Sequence, residues 1–155
     1  MDRYKIAIVV GSLRKDSINL KVAKSLCAMA HERLDCDIVP IGDLPLYNQE
    51  SDGDPPEQFV RFREEIGRAH GVLFVTPEYN RGVPGVLKNA IDVGSRPYGK
   101  SVWNQMPAAI VSHRSHICAG RKGRSITTLA CAAAAAAQMM YTMISPPWWM
   151  DLKEP

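Results

Sequence analysis

Apolar residues along the chain follow two rhythms. Four short runs stand out: KIAIVV (5–10) and the start of GVLFVTPEYN (71–80), which are continuous, and the shorter CDIVPI (36–41) and MPAAIVS (106–112). The two continuous runs, rich in β-branched residues, predict strands buried on both faces of a parallel sheet, and the other two read as a second and a fourth strand. Between them the apolar positions recur at spacings of three and four, which predicts helices. Leu20, Ala23, Leu26, Cys27, Ala30 and Leu34 form one stripe. Phe59, Phe62, Ile66 and Ala69 form a second, opened by Pro56, and VPGVLKNAIDVGSR (83–96) a third, entered through Pro84. GDLPLYNQESDGDPP joins the second run to the second stripe and is made of turn formers. Strict alternation of strand and helix predicts parallel strands joined by right-handed crossovers, hence a doubly wound α/β sheet in one domain over residues 1–155. Ligands of such sheets sit beyond the carboxyl ends of the strands. The polar loops 11–19 and 76–82 both fall there.

The first loop, GSLRKDSIN, leads from a strand into a helix. A helix amino terminus carries unpaired N–H groups and partial positive charge, and so attracts anions. Gly11 permits a tight turn, Ser12 and Ser17 offer hydroxyls, and Arg14 can grip a phosphate with its guanidinium fork. Asn19 can cap the helix and turn its amide inward. The loop is neither GxxxxGK[ST] nor GxGxxG, so the common nucleotide motifs are excluded. Two readings stay open: a terminal monophosphate site, or a polar loop that caps a helix.

GSLRKDSIN, PLYN, TPEYNRGVPGVLKNAIDVGSRP and the spacing between them resemble the NADPH-dependent FMN reductase family, over about residues 4–112. The resemblance implies a flavodoxin-like fold and FMN as cofactor. It implies that Gly11, Ser12, Leu13, Arg14, Ser17, Ile18 and Asn19 surround the FMN phosphate. Pro77, Glu78, Tyr79 and Asn80 then lie along the isoalloxazine ring, with backbone groups at its polar edge. Taken singly, Tyr79 also reads as a core aromatic and Glu78 as a surface charge. Gly82, Pro84 and Gly85 shape that loop. Lys88, Asn89 and Asp92 structure the helix or a dimer contact, and Arg96 faces a partner subunit. No catalytic side chain is required, because FMN carries the chemistry. NADPH or NADH is the implied co-substrate, and a flavin, quinone or similar small molecule the acceptor. A homodimer or homotetramer is implied as well. The family's phosphate loop usually reads GSLRxGSxN; here Asp16 stands for the glycine, and its carboxylate beside a phosphate weakens affinity, with Lys15 partly offsetting it. A non-enzymatic FMN binder and an inactive truncated relative are the alternatives; the Thr- and Gly-rich loop of flavodoxins is absent.

Composition adds bounds. The chain has 155 residues, 46% hydrophobic and 23% charged, with net charge +3 and pI about 8.7. That describes a globular protein; the charge suits an anionic ligand and is too mild for nucleic acid. Cys27, Cys36, Cys118 and Cys131 form no CxxC pair, so neither a zinc site nor a redox dithiol is expected from spacing. MDRYKIAIVV reads as a first strand, not a signal peptide, and a cytoplasmic location is the expectation.

After Ser112 the resemblance fades. His113 and His116 are weak as metal ligands, and RKGR (121–124) reads as a solvated loop before it reads as a phosphate or nucleic-acid contact. Residues 126–144 carry no charge but are mostly alanine, which favours a soluble helix over a membrane anchor. No run of β-branched residues follows Ser112, so the family's usual fifth strand and last helix are expected to be missing. A shift of reading frame near Ser112 accounts for this tail.

Overall fold

The computed structural model describes residues 3–30 and 32–112. Four strands, β1 (Tyr4–Val10), β2 (Leu34–Val39), β3 (Gly71–Thr76) and β4 (Ala108–Ser112), alternate with α1 (Ile18–Ala30), α2 (Glu57–Gly67) and α3 (Gly85–Gly94). Every pairing is parallel and the order is β2-β1-β3-β4. This is the doubly wound, flavodoxin-like arrangement, in which the chain reverses its direction of winding at β1. In sheets of this order the crevice that takes ligands is the one between the carboxyl ends of β1 and β3.

Three of the differences from the hydrophobic pattern have a clear backbone reason. Leu34 leaves the first helical stripe and opens β2, paired with Tyr4. The ladder to β1 extends down to residue 34, and α1 has already ended at Ala30. β2 stops at Val39 instead of Ile41, because Pro40 has no N–H to continue the ladder. β4 begins at Ala108, one residue past Pro107, although the Pro107 carbonyl still accepts from the Val72 N–H at 2.9 Å.

Alternate strand residues feed two cores. On one face Ala7, Val9, Val72 and Phe74 pack with Phe59, Phe62 and Ile66 of α2 and with Leu87 and Ala90 of α3. Trp103 closes this layer, edge-on to Phe62 at 6.0 Å between ring centroids, and its indole N–H donates to the Ile91 carbonyl at 3.0 Å. On the other face Ile8, Val10 and Val75 pack under Ala23 of α1. Among the described residues no helix is long and apolar enough to cross a membrane. The expected helix over 126–144, the missing fifth strand, and His113 and His116 all lie outside the described residues.

Candidate functional site

Val10 pairs with Val75, so the loops after β1 and β3 leave the sheet side by side. The Gly11 N–H donates to the Val75 carbonyl at 2.9 Å, extending the ladder by one residue. A Cβ on Gly11 would lie 2.3 Å from Thr76 Oγ1 and 2.9 Å from Thr76 Cβ. Glycine is therefore required here by close approach of β3, not by the turn that the sequence suggested. Thr76, buried at the end of β3, sets this close approach; sequence reasoning placed it in the loop 76–82 without a role.

Beyond Gly11 the chain makes one turn, closed by the Ser17 N–H donating to the Arg14 carbonyl at 3.1 Å. Ser17 is buried, 3% exposed, and its Oγ accepts from the Leu20 N–H at 3.3 Å. Its carbonyl accepts from the Lys21 N–H at 3.1 Å, so Ser17 caps α1. Asn19 does not cap: it already lies in the first turn of the helix, on the inner face with Ala23. Its amide does turn inward. Asn19 is 5% exposed, and among the described residues its Oδ1 has no hydrogen-bond partner.

Among the described residues, no acceptor meets the amides of residues 12–16, 18 and 19. A run of open N–H groups at the amino end of a helix is a cradle for an anion. Arg14 and Lys15 are exposed beside it and make no ion pair among the described residues. Asp16 is exposed in the same turn. Leu13 and Ile18, 61% and 47% exposed, offer apolar surface at the rim, and Leu13 lies over Gly42. Ser12 is half-buried.

The second loop is built differently. Pro77 and Glu78 are half-buried, whereas Tyr79 is 50% exposed and is no core aromatic. Tyr79 and Gly82 exchange two backbone hydrogen bonds, at 3.0 and 2.9 Å. Between them Asn80 (φ 50°) and Arg81 (φ 63°) are both left-handed, which makes a two-residue turn of type I′. Asn80 is a usual occupant of that conformation; Arg81 is not. Gly82 and Gly85 have room for a Cβ and ordinary φ, so the loop's shape does not depend on them. Pro84 caps α3.

The residues of α3 hold structure. The Asn89 amide donates to the Pro45 carbonyl at 2.8 Å and its oxygen accepts from the Tyr47 N–H at 2.8 Å, pinning the segment after β2. Lys88 pairs with Asp92 at 2.6 Å one helical turn on. The Arg96 guanidinium lies over the Tyr47 ring, 5.9 Å from its centroid. The Tyr47 hydroxyl donates to Asp52, and burial first, then that carboxylate, raises it above an ordinary tyrosine. Among the described residues no group of three or more His, Cys, Asp or Glu could hold a metal ion.

The residues fit FMN in two respects. The open amides and the capped helix end suit a dianionic phosphate. The unpartnered Asn19 oxygen needs a donor, which a ligand hydroxyl would supply.

Known proteins share this plan. The chain is 62% identical to a quinone reductase of Pseudomonas putida, over 70% of this chain and 59% of that protein. It is 54% identical to a 2-hydroxy-1,4-benzoquinone reductase of a Burkholderia species, over 69% of this chain and 58% of that protein. It thus spans about three fifths of the length of these curated relatives. The structure superposes on FerB, a flavoenzyme NAD(P)H:(acceptor) oxidoreductase from Paracoccus denitrificans, with a TM-score of 0.78 and 37% identity. That superposition covers 97% of this chain and 77% of the other. The sequence model of the NADPH-dependent FMN reductases matches residues 4–152, continuing past Ser112 where the motif resemblance faded, and the chain belongs to that family.

Proposed function

We propose that residues 11–19 and 77–80 bind FMN, and that the protein reduces a quinone or similar small acceptor with electrons from NAD(P)H. The observation that carries this reading is the row of open amides at the capped start of α1, set against the β3 loop at the crevice of the sheet. One cationic fork and one helix terminus suit one phosphate group, hence FMN in preference to FAD. Membership of the family, and the quinone reductases among the relatives, support the acceptor class.

When bound, FMN supplies the redox chemistry, accepting a hydride at N5 and passing electrons on. The chain's own residues supply position. The amides after Gly11 and the Arg14 guanidinium hold the phosphate. The Ser17 hydroxyl, already accepting from Leu20, keeps its own hydrogen for a phosphate oxygen. Pro77 and Tyr79 provide an apolar edge, and the backbone groups of 77–80 that the Tyr79–Gly82 turn and the Thr76 hydroxyl do not already use provide hydrogen bonds for a ring rim. The same reading includes a cytoplasmic location and a homodimer or homotetramer. The exposed apolar side chains Leu46 and Tyr98, 84% and 62% exposed, offer surface for such a contact.

Adding NADPH to the FMN-loaded protein under argon tests the reading. Loss of the flavin's yellow colour within seconds, and its return on adding a benzoquinone, are expected. A colour that NADPH leaves unchanged would make the protein an FMN binder without reductase activity. Failure to retain FMN at all would remove the site assignment.

A further inference from the structure

Cys27 and Cys36 are nine positions apart in sequence and form no CxxC pair, yet the fold brings them together. β2 pairs with β1 in the register Ile6↔Cys36, which turns Cys36 to the face of the sheet that α1 covers. Cys27 lies one helical turn beyond Ala23, the residue of α1 that packs into that same layer, and it too faces the sheet. Among the described residues both are free thiols; both are half-buried, and they interact side chain to side chain. Neither belongs to the loops that form the candidate site.

We infer that Cys27 and Cys36 are an oxidisable dithiol that hydrogen peroxide closes to a disulfide, tying α1 to the edge of β2. Burial, then the neighbouring Cys36 thiol, pushes Cys27 up to about 11, so at neutral pH it keeps its proton. The first attack therefore falls to Cys36 and the second to Cys27. The Cys36 thiolate attacks one peroxide oxygen; the O–O bond breaks, an S–O bond forms, and hydroxide leaves and is protonated to water. The Cys27 sulfur then attacks the Cys36 sulfenic acid. The S–S bond forms, the S–O bond breaks, and the departing hydroxide takes the Cys27 proton as a second water. Two thiols and one peroxide give one disulfide and two waters, with two electrons passing from sulfur to oxygen.

The chain itself provides the assay. Trypsin cuts after Lys24, Arg33 and Arg61, so the two cysteines fall in separate peptides, 25–33 and 34–61. After one equivalent of hydrogen peroxide on the full chain, the expected product is these two peptides joined, lighter than their sum by two hydrogens. The closed loop spans roughly ten residues, and the oxidised protein should melt about 5–10 °C above the reduced one. Cys36→Ser should abolish that rise while leaving the melting point of the reduced protein near the parent's. Should Cys36→Ser not fold, Cys27→Ser serves, and peptide mapping of the parent protein stands without either. Recovery of Cys27 and Cys36 as separate alkylated thiols or separate sulfinic acids would overturn the inference. So would predominant linkage of either one to Cys118 or Cys131.

Discussion

The two loops at the crevice solve opposite problems. The loop after β1 leaves its amides open: residues 12–16, 18 and 19 have no acceptor among the described residues, and no non-glycine residue in it takes a left-handed conformation. The loop after β3 closes on itself: Tyr79 and Gly82 satisfy each other, and Asn80 and Arg81 bear the left-handed backbone that the closure demands. One loop is unsatisfied and waits for a partner; the other is satisfied and strained. In the proposed function the phosphate goes to the first, since it supplies the missing acceptor. The flat ring of the same proposal goes against the second, whose turn is closed by its own backbone. The comparison implies that ligand should order the first loop more than the second.

The junction of the two loops gives the largest expected effect. Gly11→Ala puts a methyl 2.3 Å from Thr76 Oγ1, which forces β1 and β3 apart where both loops begin. The cost should be about 3 kcal/mol, at the upper end for overpacking, with FMN retention lost as well. Adding Thr76→Ala removes the nearest atom but not the Cβ at 2.9 Å, so it should restore part of the stability. Urea denaturation of the single and double variants measures both. Wild-type stability in the single variant would mean that the strands are looser than the close approach requires.

A smaller effect belongs to the open loop alone. Arg14→Ala keeps the cradle of amides and removes the cationic fork. Loss of a charge-assisted contact should weaken FMN binding by about 1.5–3 kcal/mol, roughly ten- to a hundredfold. Titration of the apo protein with FMN reads this directly, and folding stability without FMN should stay within about 0.5 kcal/mol of the parent, as for other exposed side chains. Equal FMN affinity in variant and parent would detach the phosphate from this loop.

Much of this plan is legible in the sequence, and the failures share a cause. The strands and helices follow from unbroken and periodic apolar runs, and the placement of both loops follows from their alternation. What the sequence hides is whatever depends on a neighbour. Gly11 is explained only by Thr76, from another strand. Among the cap-competent residues Asp16, Ser17 and Asn19, the choice falls on Ser17 because Asn19, Ala23 and Cys27 share one helical face and α1 must already be running at residue 19. That phase is a signal the sequence does carry. Leu34 suits a helix or a strand, and the demand of β1 for a longer ladder decides. The meeting of Cys27 with Cys36 needs the register of β2, which no spacing rule encodes.

The smallest effect belongs to the strained loop. A left-handed conformation costs a non-glycine residue roughly 1–2 kcal/mol, and asparagine bears it more easily than arginine. In a type I′ turn the favoured pair is Asn-Gly, so the chain has the first residue right and the second wrong. Arg81→Gly should relieve that strain, less the greater freedom glycine has in the unfolded chain. The net gain should be about 0.5–1 kcal/mol, a rise in Tm of a few degrees for a chain of this size. Strain that persists at a ligand-facing turn is a mark of function, because a side chain needed there keeps its place against the backbone's preference. Arg81→Gly should therefore stabilise the fold while weakening whatever the arginine contacts, and Asn80→Gly, beside it, should do neither to the same degree. Thermal melts of the two variants, with NADPH titrations of each, separate the cases. A stabilised Arg81→Gly protein with undiminished NADPH affinity would leave the strain without a functional reason, and the contrast between the loops would then be one of backbone geometry alone.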